Sequence, residues 1–140
     1  MLDRMGRDEM FHKIAHIDDL LWGSKEEVLE DMRNIDNPNF QDYQGVSYLD
    51  MACQAHSLEA IRLLLDLGAN PNINDKRGLS PITYALGRIN PNNKAILEIM
   101  LQYGLDLKKM EREQTLKEWI EMFEEEELNS VIKEWENEHN

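Results

Sequence analysis

Apolar positions along the chain recur at helical spacing in short runs, and turn-forming residues separate the runs. Leu58, Ile61, Leu64 and Leu65 draw one apolar stripe on a predicted helix from Ser57 to Leu67, which Gly68 ends. A shorter helical pattern runs from Ser47 to Cys53 ahead of it, and Lys94 to Tyr103, ended by Gly104, repeats the longer one. Leu116, Trp119, Ile120 and Phe123, then Leu128, Val131, Ile132 and Trp135, give two further faces at i, i+3, i+4, i+7. Near the N-terminus, Glu9 to Ala15 and Ser24 to Met32 read as another pair of helices. Ser24 with Glu27, and Thr115 with Glu118, have the spacing of capping boxes.

The turns carry a repeat. Asn37-Pro-Asn-Phe-Gln-Asp-Tyr-Gln-Gly45 recurs as Asn70-Pro-Asn-Ile-Asn-Asp-Lys-Arg-Gly78, 33 residues later. Asn, Asp and Gly tolerate left-handed backbone and Pro presets φ, so these are turns and not helix or strand interiors. A 33-residue unit of turn, helix, turn, helix is similar to an ankyrin repeat. Asp42-Tyr-Gln-Gly-Val-Ser-Tyr-Leu-Asp-Met-Ala52 followed by Gly68-Ala-Asn-Pro-Asn72 resembles a divergent copy of that family's pattern. Asp75-Lys-Arg-Gly-Leu-Ser-Pro-Ile-Thr-Tyr-Ala85 is closer, with Ser80 as an N-cap and Pro81 at the first helical position. Asp50 and Thr83 stand where the family has His, and both can still bond to turn backbone.

The resemblance implies an all-α solenoid in one domain, residues 1–140, with repeats at roughly 3–36, 37–69 and 70–107 and a C-terminal cap at 108–140. The first repeat is degenerate: Phe11 to Leu49 is 38 residues, leaving about five extra around His16 to Trp22. The third holds an insertion of about three, Ile89-Asn-Pro-Asn-Asn93, where Pro91 and the Asn residues break the helix into a longer loop. Glu124 to Glu127 reads as a solvated junction between cap helices. A terminal unit needs a polar outer face, and the eleven Glu residues from Glu111 to Glu138 supply one.

Charge narrows the partners. With 28 acidic and 15 basic residues the net charge is −13, which disfavours nucleic acid and lipid headgroups and favours basic proteins. No apolar run nears the ~20 residues of a membrane span and the N-terminal segment lacks an apolar leader, so the expected compartment is the cytoplasm. The lone Cys53 excludes an internal disulfide and reads as a packed thiol.

Candidate chemistry is sparse. His12 and His16 lie at i, i+4 with Asp19 three further, yet they lack the acid and third ligand of zinc-site patterns. Each Gly stands alone, so no phosphate loop forms, and no nucleophile sits in an elbow. The expectation is a protein without catalytic residues, cofactor or metal. Carried over from the resemblance, partner binding falls to a concave groove lined by hairpin tips and inner helices. Tyr43, Gln44, Val46, Gln54 and Ala55 would contribute from the second repeat, and Lys76, Arg77, Leu79, Gly87 and Arg88 from the third. Tyr43 and Arg77 are residue types that anchor interfaces. The third-repeat groove is locally basic while both ends of the chain are acidic. Small ankyrin-like immunity proteins that neutralise secreted bacterial toxins share the short length, divergent repeats and acidity, which implies a basic toxin as partner. The alternative is an adaptor that recruits a partner without inhibiting it. The sequence leaves the oligomeric state open, with a monomer as the working expectation.

Overall fold

Ser47, Ser57 and Ser80 each stop the chain in extended backbone immediately before a helix, and these three positions set the frame of the fold. The computed structural model describes Glu30 and residues 33–139. The expected first repeat, with the Ser24 capping box and the His12/His16 pair, lies almost wholly outside those residues. The second repeat holds helices α1 (Tyr48–Gln54) and α2 (Leu58–Asp66), and the third holds α3 (Pro81–Leu86) and α4 (Asn93–Gln102). A two-stranded hairpin follows, β1 (Met110–Glu111) with β2 (Gln114–Thr115), then α5 (Leu116–Glu121) and α6 (Glu126–His139). The helical solenoid and its cap are as the sequence implies; the hairpin inside the cap is not.

The inner helices α1 and α3 pack on each other, the outer helices α2 and α4 do the same, and α6 covers α4 and α5. Ile61, Leu64 and Leu65 of the outer stripe are buried, with Leu58 half-buried, against Ile96, Leu97 and Met100 of the next unit. Each such side chain contributes about 1.5–3 kcal/mol on leaving water, and no single unit could collect that alone. Leu128, Val131 and Ile132 close the far end of this core. Both outer helices end alike: Gly68 and Gly104 take positive φ, and the amides of Ala69 and Leu105 donate back to the Leu64 and Met100 carbonyls.

The second Asn of each Asn-Pro-Asn ties one unit to the next. Asn39 Nδ2 donates to the Gly68 carbonyl (3.1 Å) and its Oδ1 accepts the Asn70 amide (2.6 Å). Asn72 repeats the clasp on Gly104 (2.9 Å) and Asp106 (2.8 Å). The hairpin tips are laced too: the Lys76 amide donates to the Gln44 carbonyl at 3.0 Å, and Arg112 Nε donates to the Arg77 carbonyl at 3.3 Å.

One expectation needs correction. Ser80 occupies the N-cap position but forms no side-chain cap; its hydroxyl donates instead to Glu111 Oε1 at 2.8 Å. Ahead of the Thr115 capping box, Glu111-Arg-Glu-Gln114 folds back in a tight turn with Arg112 at φ +65°. The expected junction at Glu124 to Glu127 is present, with Glu124 at positive φ and α6 starting at Glu126.

Candidate protein-binding surface

Asp42 and Asp75 shape the two hairpin tips by the same means. Asp42 Oδ1 accepts the amides of Gln44 and Val46, both at 2.9 Å, and Asp75 Oδ1 accepts those of Arg77 (2.8 Å) and Leu79 (3.0 Å). A side chain that replaces the backbone partners of its own turn holds the tip in one conformation. The residues between are thereby pushed outward. Tyr43 is 45% exposed, and Gln44, Lys76 and Arg77 also face solvent.

The expected groove residues divide in two. Tyr43, Gln44, Gln54, Lys76, Arg77, Gly87 and Arg88 are exposed, while Val46 and Leu79 are half-buried, Val46 packed against the core. Ala55 is buried as the C-cap of α1, its amide donating to the Met51 carbonyl, and leaves the surface set. Arg77 is exposed but not free. Its Nε and Nη2 donate to Asp75 Oδ2 at 3.3 and 3.2 Å, and Nη2 also donates to the Tyr84 hydroxyl at 2.9 Å. Tyr84 in turn donates to Asp75 Oδ2 at 2.6 Å. Burial works against the Asp75 charge. The bonds from Tyr84, the Leu79 and Arg77 amides and the guanidinium outweigh it and hold the carboxyl below its ordinary range. Arg77 therefore positions the tip as well as displaying charge.

At the other end of the inner helices, the loop after α3 is fixed by polar groups. Asn93 Nδ2 donates to the Arg88 carbonyl (2.9 Å), Asn92 Nδ2 to the His56 carbonyl (2.9 Å) and Arg88 Nη2 to the Gln54 carbonyl (3.4 Å). His56 takes positive φ and reaches the Ala85 carbonyl through Nε2 at 2.7 Å. Beyond α3 on the cap side, Leu79, Arg112, Gln114 and Trp119 line a cleft of about 630 Å3, with Glu111 and Glu113.

Perturbed titratable groups are used inside the fold. Burial pushes the Cys53 thiol well above its ordinary value, which suits an unreactive packed cysteine. Asp50 accepts the Ser47 amide at 3.0 Å in a full capping box, yet its Oδ1 has no partner and the residue is wholly buried. Burial pushes its carboxyl up from 3.8 to about 7, with the Asp75 charge adding and the bonds from Ser47 opposing. A raised carboxyl contributes stability that is complete below pH ~4 and lost as pH rises through ~7. Asp50→Asn should thus match the parent near pH 4 and exceed it by roughly 1–3 kcal/mol at pH 8, by chemical denaturation. Equal stability of the two at both pH values would show that Asp50 stays charged at no cost. Among the described residues no group of His, Cys, Asp and Glu is arranged to hold a metal.

Residues 35–85 match the family model for ankyrin repeats. A Fowlpox virus (strain NVSL) protein named as an ankyrin repeat protein is 38% identical over 60 residues, which is 43% of this chain. The chain spans about 10% of that relative's length.

Proposed function

This chain carries an ankyrin-repeat array, a protein–protein interaction scaffold, and from that premise we propose that it acts without catalysis by neutralising a toxin. The observation that supports the binding role most is the pair of hairpin tips, each fixed by its own aspartate, presenting Tyr43 and Lys76 on a rigid stack. A surface held in one conformation before its partner arrives loses little entropy on binding. The net charge of −13 supports the choice of partner, since it speeds the approach of a basic protein. The proposed compartment is the cytoplasm, where such a partner would be met before it acts.

Tyr43→Ala with Lys76→Glu tests the surface. We expect at least a tenfold loss of partner affinity by calorimetric titration with thermal stability unchanged, because neither side chain supports the fold. Lys76 is reversed and not Arg77, because a glutamate at 77 would stand against Asp75 and disturb the tip itself. Unchanged affinity would move the site off the tips. Co-expression with a co-encoded toxic neighbour tests the neutralising role. Restored growth, lost in the double variant, supports it, whereas a tightly held partner with no toxicity identifies the alternative, an adaptor that recruits.

A further inference from the structure

Residues 76–97 form the longest stretch of the chain without an acidic residue, and within it stand Lys76, Arg77, Arg88 and Lys94. In a protein whose acids outnumber its bases by 13, that segment gathers four cations with no acid among them. It spans the whole inner helix α3 with the turn on each side. Among the described residues Lys76, Arg88 and Lys94 form no ion pair, so their charge faces outward. Arg77 is shared with Asp75, and Arg112 of the cap hairpin lies against the Arg77 carbonyl without a carboxylate of its own.

Apolar groups sit among these cations. Ile89 is 89% exposed at the tip of the loop, far more than any other large apolar side chain among the described residues. The bonds from Asn92, Asn93 and Arg88 hold that loop in place, so Ile89 is presented and does not wander. Leu79 and Tyr84 are half-buried near the other end of α3. Of the carboxylates around the strip, Asp75 is tied to Arg77, Glu113 lines the cap-side cleft beside Leu79, Glu111 is enclosed by Ser80 and Thr83, and Asp50 is buried within α1.

We propose that this acid-free strip, Lys76 to Lys94, docks an extended acidic segment of the protein partner, with carboxylates at Lys76 and Arg88 and an apolar residue on Ile89. The inference deepens the protein-binding role and rests on it. Long-range attraction and contact chemistry are separate: the whole chain draws a basic partner in, and the strip takes an acidic segment of it. Helix α3 is about 9 Å long, so with its two turns the strip matches roughly five or six residues of extended chain. A polyanion such as nucleic acid is disfavoured, because three unpaired cations do not offset the repulsion from the rest of the molecule.

Selection of random twelve-residue peptides displayed on phage against the full chain tests this, followed by titration of the enriched peptides. We expect peptides of net negative charge carrying an apolar residue. Their affinity should fall at least tenfold in Lys76→Glu/Arg88→Glu and about fivefold in Ile89→Ser, while Lys133→Glu on α6 stays within twofold. Circular dichroism should show all variants folded alike. Enrichment of basic peptides, indifference to the charge reversal, no enrichment at all, or tighter binding of a single-stranded 20-mer oligonucleotide would each overturn the assignment. Basic peptides displaced by reversing the cap glutamates would leave the protein-binding role standing and move its site.

Discussion

Gly45→Ala should destabilise the fold by roughly 3–4 kcal/mol, whereas the same change at the matching Gly78 should cost about 1 kcal/mol. Both glycines have positive φ, +79° and +84°, so a side chain is strained at either by about 1–2 kcal/mol. Only Gly45 is also crowded. A Cβ there would meet the Lys76 amide nitrogen at 2.8 Å and Asp75 Cα at 2.9 Å, backbone that cannot swing aside. At Gly78 the nearest atom is the side-chain Arg112 Cγ at 3.9 Å, an ordinary van der Waals distance. Overpacking of that kind adds about 1–3 kcal/mol. The pair of variants, compared by urea denaturation, isolates the contact between consecutive hairpin tips. Equal losses at the two sites would mean that the tips do not abut as described.

Glu111→Ala is expected to be at least as harmful, at about 3–5 kcal/mol. The carboxylate is almost completely buried and accepts the Ser80 amide, the Ser80 hydroxyl and the Thr83 hydroxyl, between 2.8 and 3.2 Å. It does for α3 what a side-chain cap would have done, from a different element. Lys109 Nζ lies 4.0 Å away, bonded to the Asn72 carbonyl and to Asn74. Burial depresses the Lys109 ammonium and its acidic neighbours support it. Removing the carboxylate leaves buried donors unmet and a half-buried cation without its counter-charge. Glu111→Gln should recover part of the loss. A stable Glu111→Ala protein would mean that the cap hairpin contributes little to α3.

These two residues show what the sequence gives away and what it withholds. The repeat register was legible because its signals are local. Asn-Pro-Asn turns, Ser N-caps and a closing Gly act within a few residues of themselves, and the apolar stripe of α2 needs only its own spacing. Glu111 was not legible, since its bonds span 28 and 31 residues and nothing in Glu111-Arg-Glu-Gln114 announces a hairpin. That stretch has no Gly, and Arg112 takes the left-handed conformation in its stead. Glu and Arg favour helix, and tertiary contact overrode that preference.

The second asparagines, Asn39 and Asn72, were read as turn residues and turn out to join units as well. Only the depth of the stack reveals it, because each bonds a chain segment about 30 residues on. Of the groove residues that the resemblance implied, Tyr43, Gln44, Gln54, Lys76, Arg77, Gly87 and Arg88 are exposed. Ala55 is buried as the C-cap of α1, and the Arg77 guanidinium, though exposed, is held by Asp75 and Tyr84, which turn position alone does not show. Surface charge was legible as a total but misleading as a map. The net charge of −13 belongs to the rest of the chain, while the segment from Lys76 to Lys94 holds no acid.

The most direct test of the central claim is affinity capture on the tagged full chain from the cells that express it. The extract is washed at ~0.15 M and then ~1 M salt, beside the Tyr43→Ala/Lys76→Glu variant. Exposed charge pairs are screened in the second wash, whereas a packed interface survives it. A protein-binding array predicts one partner kept through both washes by the parent chain and lost by the variant. Retention by both chains alike, or no protein held after the first wash, would contradict it.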